Sequence, residues 1–267
     1  MRSYKKAESS PETDMVEEQW NQDAANNGKK AEQILVNLIN QKSDSTRWIV
    51  KEIGKATYLQ TKAKLGTGSG RPDVILFHSK TGREYAHISL KCCRKYSSAF
   101  NQVTRMRVDR FVDEFQVPSW VRSILERYTE KGWKLLPGGR RYKKTELDRL
   151  LVYLNSNKKR FTKAAFEGNK NAQQADWLML HQRAEINWEA HVGQFKLSHL
   201  ILMRKLVKLL SKEKVILNQR GTICFGCGVT LQRKGGDRGK RSGNDLQFKL
   251  RMRPMLVSSG LWRERYS

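Results

Sequence analysis

Gly70-Arg71-Pro72-Asp73-Val74-Ile75-Leu76-Phe77, followed by His87-Ile88-Ser89-Leu90-Lys91, decides how the chain folds. Val74–Phe77 is a short apolar run bounded by turns, which suits a strand buried on both faces. Ser79-Lys80-Thr81-Gly82 reads as a turn and Tyr85–Cys92 as the next strand. A turn centred near Lys80–Thr81 sets Asp73 across from Ile88 or Ser89. Ser89 and Lys91 are two residues apart and share one face, while Ile88 and Leu90 take the other. One sheet face therefore gathers a carboxylate, a hydroxyl and an ammonium, with apolar residues behind them.

Outward from this hairpin, Thr57–Lys64 looks strand-like and leads into the glycine-rich turn Leu65-Gly66-Thr67-Gly68-Ser69-Gly70. Upstream, Ala31, Ile34, Leu35, Leu38 and Ile39 follow the spacing of an amphipathic helix over Gly28–Gln41. Downstream, apolar spacing predicts helices at Asn101–Phe115, Trp120–Lys131, Lys144–Leu154, Gln173–Gln182 and Phe195–Lys212. Strands return at Val215–Leu217 and Thr222–Gln232 and, after a basic loop to Asn244, at Leu246–Arg251. The order predicts an α/β fold: a mixed β-sheet core flanked by helices, with a helical insertion or subdomain in the middle of the chain. Residues 1–11 are polar and expected to fray. Residues 12–267 form a single domain, its core at about 28–116 and 213–253 and its helical part at about 117–212.

Composition narrows the partners. Lys and Arg number 52 against 26 Asp and Glu, a formal charge of +26 in 267 residues. Internal ion pairs cannot absorb such an excess, and nucleic acid is the natural counterpart, since each phosphate neutralised releases counterions. No apolar run approaches the ~20 residues that span a bilayer, and Met1–Glu18 lacks an apolar signal core. The expectation is a cytoplasmic protein, acting on DNA as a monomer or homodimer and without a membrane partner.

The hairpin's groups suit metal-assisted phosphodiester hydrolysis. Mg²⁺ takes hard oxygen ligands and keeps several waters, so one or two carboxylates with a carbonyl suffice. Spacing alone also fits an ordinary hairpin, with Asp73 capping a turn and Lys91 reaching to solvent, since Pro-Asp followed by x-x-Lys is common by chance.

The stretch resembles the PD-(D/E)xK nuclease superfamily, and the type II restriction endonucleases in particular. Gly68-Ser69-Gly70-Arg71-Pro72-Asp73-Val74 looks like the family's approach to its first strand, and Ile88-Ser89-Leu90-Lys91, then Ala99-Phe100-Asn101-Gln102, like its second strand and following helix. By this resemblance the metal-binding and nucleophile-assisting roles fall on Asp73, Ser89 and Lys91, with the Leu90 carbonyl a further metal ligand. Ser89 departs from the family, which usually has Asp or Glu there. Some restriction enzymes resemble this chain in carrying a neutral polar residue. Glu32, bordering the apolar stripe of the first helix, is a candidate to supply the missing charge, and Gln102 a candidate phosphate contact. The implied cofactor is Mg²⁺, with Mn²⁺ as a substitute.

A second resemblance lies at Gly228-Val229-Thr230-Leu231-Gln232-Arg233-Lys234-Gly235-Gly236-Asp237 and Leu246-Gln247-Phe248-Lys249. Similar segments occur in several restriction-endonuclease-like sequences. Gln232, Arg233 and Lys234 offer donors for base edges and charge for phosphates, and Arg238, Lys240 and Arg241 extend the basic loop. The expected activity is hydrolysis of double-stranded DNA by a type II site-specific deoxyribonuclease of a restriction-modification system, leaving 5′-phosphate and 3′-hydroxyl ends. A structure-selective or repair nuclease of the same fold, and a non-catalytic nucleic-acid-binding protein, are the alternatives.

Other signals are weaker. Cys224-Phe225-Gly226-Cys227 has zinc-knuckle spacing, but Cys92 and Cys93 are strand neighbours pointing to opposite faces, a poor complement for one tetrahedral ion. His87 shares the face of Ser89 and Lys91, whereas His181, His191 and His199 lack helical metal-binding spacing. The glycines at 66, 68 and 70 lack the Lys-Ser/Thr ending of a phosphate-binding loop.

Overall fold

A computed structural model describes residues 28–67, 72–93, 100–129, 142–167, 174–182, 198–219, 221–233 and 245–261. The polar residues 1–11, the glycines at 68 and 70, and His191 lie outside these ranges. Helix α1 (residues 28–40) buries Ala31, Leu35, Leu38 and Ile39, the stripe that its spacing predicts. Helix α2 (Asp44–Ile53) follows after a short turn. Strands β1 (Thr61–Leu65), β2 (Val74–His78) and β3 (Glu84–Cys93) form an antiparallel meander.

After β3 come strand β4 (Phe100–Arg107) and helices α3 (Val108–Phe115), α4 (Ser119–Thr129) and α5 (Lys144–Glu167). Strand β5 (Trp177–Gln182) and strand β6 (His199–Leu202) then return to the meander. β5 runs parallel to β3, and β6 antiparallel to β5. The first sheet thus has the order β1-β2-β3-β5-β6 and is mixed, as predicted. Helix α6 (Met203–Lys212), strands β7 (Ile216–Leu217), β8 (Ile223–Gly226), β9 (Val229–Arg233) and β10 (Asp245–Arg251), and helix α7 (Met252–Ser258) complete the described chain. The second sheet, β4-β10-β9-β8-β7, is antiparallel throughout.

The first sheet is buried on both faces, and each face belongs to a different core. Val74, Leu76, Ile88, Leu90, Trp177 and Met179 pack with Leu35, Ile39, Ile49 and Val50 from α1 and α2. Leu178, Leu180 and Ile201 join the helices and the second sheet in the larger core, which contains Phe111, Phe161, Phe225 and Phe248. Phe111, Phe115 and Phe161 stack at centroid distances of 4.8, 5.1 and 4.9 Å, tying α3 to α5.

Four segments differ from their sequence reading. In 101–115 only α3 is helical. Gln102–Arg107 nevertheless belongs to β4 around buried Val103, because the spacing of Val103, Met106 and Phe111 is helical and a register irregularity opposite Val103 breaks strict alternation in the strand. In 173–182 and 195–212, both expected as helices, Trp177–Gln182 and His199–Leu202 are strands. A continuous buried run such as Trp177-Leu178-Met179-Leu180 carries no period that separates strand from helix. β5 and β6 therefore join the first sheet from within the stretch expected to be helical. Thr222–Gln232 is a hairpin rather than one strand: Cys227 and Gly228 have φ of 48° and 78°, the two-residue turn that matches strand twist. Among the described residues, no helix is long and apolar enough to cross a membrane.

Candidate active site

Val74 pairs with Ile88, so one further step along the register sets Asp73 opposite Ser89. The Asp73 backbone is held from both sides: its N–H donates to the Ile88 carbonyl at 2.9 Å, and its carbonyl accepts from Gly66 N–H at 3.0 Å. Gly66 is required for this approach, since a Cβ there would lie 1.9 Å from the Pro72 carbonyl oxygen.

The Asp73 carboxylate collects three donors on Oδ2. Leu90 N–H donates at 2.6 Å, Ser89 Oγ at 3.1 Å and Lys91 Nζ at 3.2 Å. Lys91 Nζ also donates to the Leu90 carbonyl at 3.1 Å. The Lys91 and Asp73 side chains are only 16% and 22% exposed and Ser89 is fully buried, so these contacts are shielded from bulk water. An ammonium therefore stands between a carboxylate oxygen and a carbonyl oxygen at the edge of a dry sheet, a place suited to positive charge. Glu32, on α1, is close enough to feel it. Burial and the Asp73 carboxylate push Glu32 up to about 7, while Lys91 and Lys29 pull it the other way. The structure thus brings Glu32, Asp73, Ser89, Leu90 and Lys91 together. Among the described residues no group of three or more His, Cys, Asp or Glu side chains is arranged to hold a metal ion, so a cation here would meet at most two carboxylates, a set that fits Mg²⁺.

One solved structure brings a known protein into the comparison. The restriction endonuclease MspI, crystallised in complex with its cognate DNA, superposes with a TM-score of 0.51 at 13% identity, over 79% of this chain and 78% of that one. The chain has a restriction-endonuclease-like fold. No protein-family model and no curated protein sequence matches it.

Three further candidates, Gln102, Gln232 and Arg233, lie on the second sheet. Gln102 is exposed on β4, a strand rather than the expected helix, in register with Lys249. Gln232 and Arg233 end β9, and Gln232 Nε2 donates to Thr230 Oγ1 at 2.8 Å. Lys234, Arg238, Lys240 and Arg241 lie outside the described residues. Cys92 and Cys93 end β3, Cys224 lies on β8 and Cys227 in the β8–β9 turn; none of the four forms a disulfide.

Sequence reading missed the setting of His87. Its Nδ1 faces Asp176 Oδ2 at 3.1 Å and its Nε2 faces Glu84 Oε2 at 3.1 Å, while Lys64 pairs with Glu84 at 2.6 Å. Bonding to Asp176, helped by Glu84, holds His87 above its usual range against the cost of burial. Bonding to His87 lowers Asp176, and bonding to Lys64 and then His87 lowers Glu84. A raised histidine stabilises the fold fully below its unfolded value of 6.5 and loses that effect as pH rises through its higher folded value. The two carboxylates stabilise it above 3.8 and 4.5 and lose the effect as pH falls through their lowered values. The network is therefore strongest between pH 4.5 and 6.5. His87→Gln should lower the melting temperature by a few degrees in that window, and the gap should narrow above about pH 8, beyond the range in which histidines hold their charge. A gap independent of pH would show that His87 contributes by packing alone.

Proposed function

We propose that the protein is a Mg²⁺-dependent endonuclease that hydrolyses double-stranded DNA, a type II restriction enzyme acting in the cytoplasm. The observation that carries this reading is the convergence of Leu90 N–H, Ser89 Oγ and Lys91 Nζ on one oxygen of Asp73, with Glu32 alongside. Asp73, the Leu90 carbonyl and Glu32 would hold the ion. When bound, Mg²⁺ supplies positive charge against the oxygens of the scissile phosphate.

The chain's own groups do the rest. Leu90 N–H and Ser89 Oγ fix the Asp73 carboxylate through Oδ2 alone, so that its other oxygen takes no part in these contacts. Lys91 Nζ orients the attacking water and faces the negative charge that gathers around phosphorus. Hydrolysis at the 3′-oxygen side leaves 5′-phosphate and 3′-hydroxyl ends. Basic and amide side chains, with Gln102, Gln232, Arg233, Lys234, Arg238, Lys240 and Arg241 as candidates, would hold the duplex. The formal charge of +26 supports that partner.

A plasmid digested with Mg²⁺ and sequenced at its ends tests the reading. Discrete fragments sharing one end sequence are expected. Cutting confined to branched DNA would make it a structure-selective nuclease, and tight binding with no cutting in Mg²⁺ or Mn²⁺ would make it a binding protein.

Ser89 supplies one of three donors to Asp73, so Ser89→Ala should slow cleavage by roughly tenfold to a hundredfold, the scale of losing a contact that orients a metal ligand. Glu32→Gln removes a charge from the ion's surroundings and should raise the Mg²⁺ concentration for half-maximal rate. Both effects are read from Mg²⁺ titrations of the cleavage rate beside the unmodified protein. An unchanged titration for Glu32→Gln would take that residue out of the site.

A further inference from the structure

The register of the second sheet aligns polar side chains that the active site does not use; Arg105 and Gln102 are exposed, while Gln247 and Thr230 are buried. Arg105 on β4 pairs with Gln247 on β10, which pairs with Gln232 on β9. One row along, Gln102, Lys249 and Thr230 line up in the same way. Adjacent strands lie about 4.8 Å apart, so each row sets three hydrogen-bonding heads within roughly 10 Å. Leu246, Phe248, Leu250 and Leu231 alternate with these residues and fill the core behind them. β4 follows β3, the strand of Lys91, and the two pack against each other.

Arg105 is the built feature of this face. Its Nε donates to Asp245 Oδ2 at 2.7 Å, and one terminal nitrogen reaches the same oxygen. Asp245 is 7% exposed while Arg105 is 39% exposed. Burying a carboxylate is costly unless it is paired, and a simple tie between two strands does not need one. What the arrangement achieves is a half-exposed guanidinium held in one orientation, with an end-on pair of N–H bonds pointing away from its carboxylate. A fixed fork is suited to bidentate recognition because its ordering cost is already met. In duplex DNA the matching acceptors are guanine O6 and N7 in the major groove. The corresponding groove of duplex RNA is too deep and narrow for side chains. The chain's large positive charge favours the same partner.

We propose that Arg105 is a specificity-determining residue that reads a guanine of the DNA duplex through its end-on N–H pair, with Asp245 as its positioning residue. The assignment rests on the endonuclease reading for its substrate. Its test is a selection of bound duplexes from a pool with a randomised core, in Ca²⁺, using the full chain. The unmodified protein should enrich a motif containing a G·C pair. Arg105→Lys keeps the charge but loses the planar fork. It should relax the preference at that one position by about tenfold to a hundredfold and leave the other positions and the salt dependence in place. Asp245→Asn should relax the same position and no other, a result that a purely structural ion pair would not produce. Melting curves check that the variants fold; if Asp245→Asn does not, Arg105→Lys alone decides. The proposal is overturned if Arg105→Lys enriches the original motif unchanged, if it weakens all sequences equally, or if the unmodified protein enriches no motif. A parallel plasmid digest separates the two readings: motif selection without cutting would sink the endonuclease and leave Arg105 as a base reader.

Discussion

Asp73→Asn is expected to abolish DNA cleavage while leaving DNA binding in Ca²⁺ at or above its original strength. Asparagine is nearly isosteric and can still present an oxygen to Leu90 N–H, the 2.6 Å contact that orients the side chain. The strand end should therefore stay in place, and the variant should melt close to the unmodified protein. What is lost is the negative charge, and with it the hard oxygen donor that a divalent cation needs. A loss of at least ~10³-fold in rate follows if transition-state charge is stabilised mainly through that cation. Binding should not fall, because it rests on the basic surface, and a carboxylate removed from beside a phosphate removes repulsion. Single-turnover cleavage in Mg²⁺ beside a Ca²⁺ binding titration makes the separation. Near-normal cutting by Asp73→Asn would remove this site from the chemistry, whatever the fold.

How legible each feature is in the sequence depends on how local its contacts are. The hairpin is legible because its turn, its apolar runs and its two-residue spacing all lie between Pro72 and Cys92. Pairing of Val74 with Ile88 puts Asp73 opposite Ser89, within the range that the turn allows. Glu32 can be named from the edge of an apolar stripe, but nothing in the sequence says that α1 carries it to Asp73 and Lys91. The second sheet is harder. β4 hides inside a run whose apolar residues also satisfy helical spacing, and β5 is buried on both faces, which erases periodicity. Contacts between distant segments leave no sequence signal at all. Asp176 meets His87 across 89 residues, and Asp245 meets Arg105 across 140. Each pair exists only because β5 lies beside β3, or β10 beside β4. The fold match to a restriction endonuclease at 13% identity follows from the same physics: the architecture tolerates nearly complete replacement of its side chains.

Lys91→Ala should cut at least ~10²-fold more slowly, with DNA affinity within a few-fold of the original. The lysine differs from Asp73 in what its removal leaves behind. Ser89 Oγ and Leu90 N–H still hold the carboxylate, at 3.1 and 2.6 Å, so a cation could still be bound. The variant therefore isolates the ammonium's own contribution. At 16% exposure that ammonium acts in a shielded place where a charge counts for more than in water. If it stabilises charge that develops only during reaction, the loss falls on the single-turnover rate and not on binding. Lys91→Arg adds a sharper comparison. It keeps the charge, but a planar guanidinium does not reproduce one nitrogen donating to both Asp73 Oδ2 and the Leu90 carbonyl, so it should rescue the rate only in small part. Full rescue would mean that charge alone matters and that the two-oxygen contact is incidental. A fall in affinity matching the fall in rate would recast Lys91 as a phosphate anchor, and near-normal cutting by Lys91→Ala would take it out of the reaction.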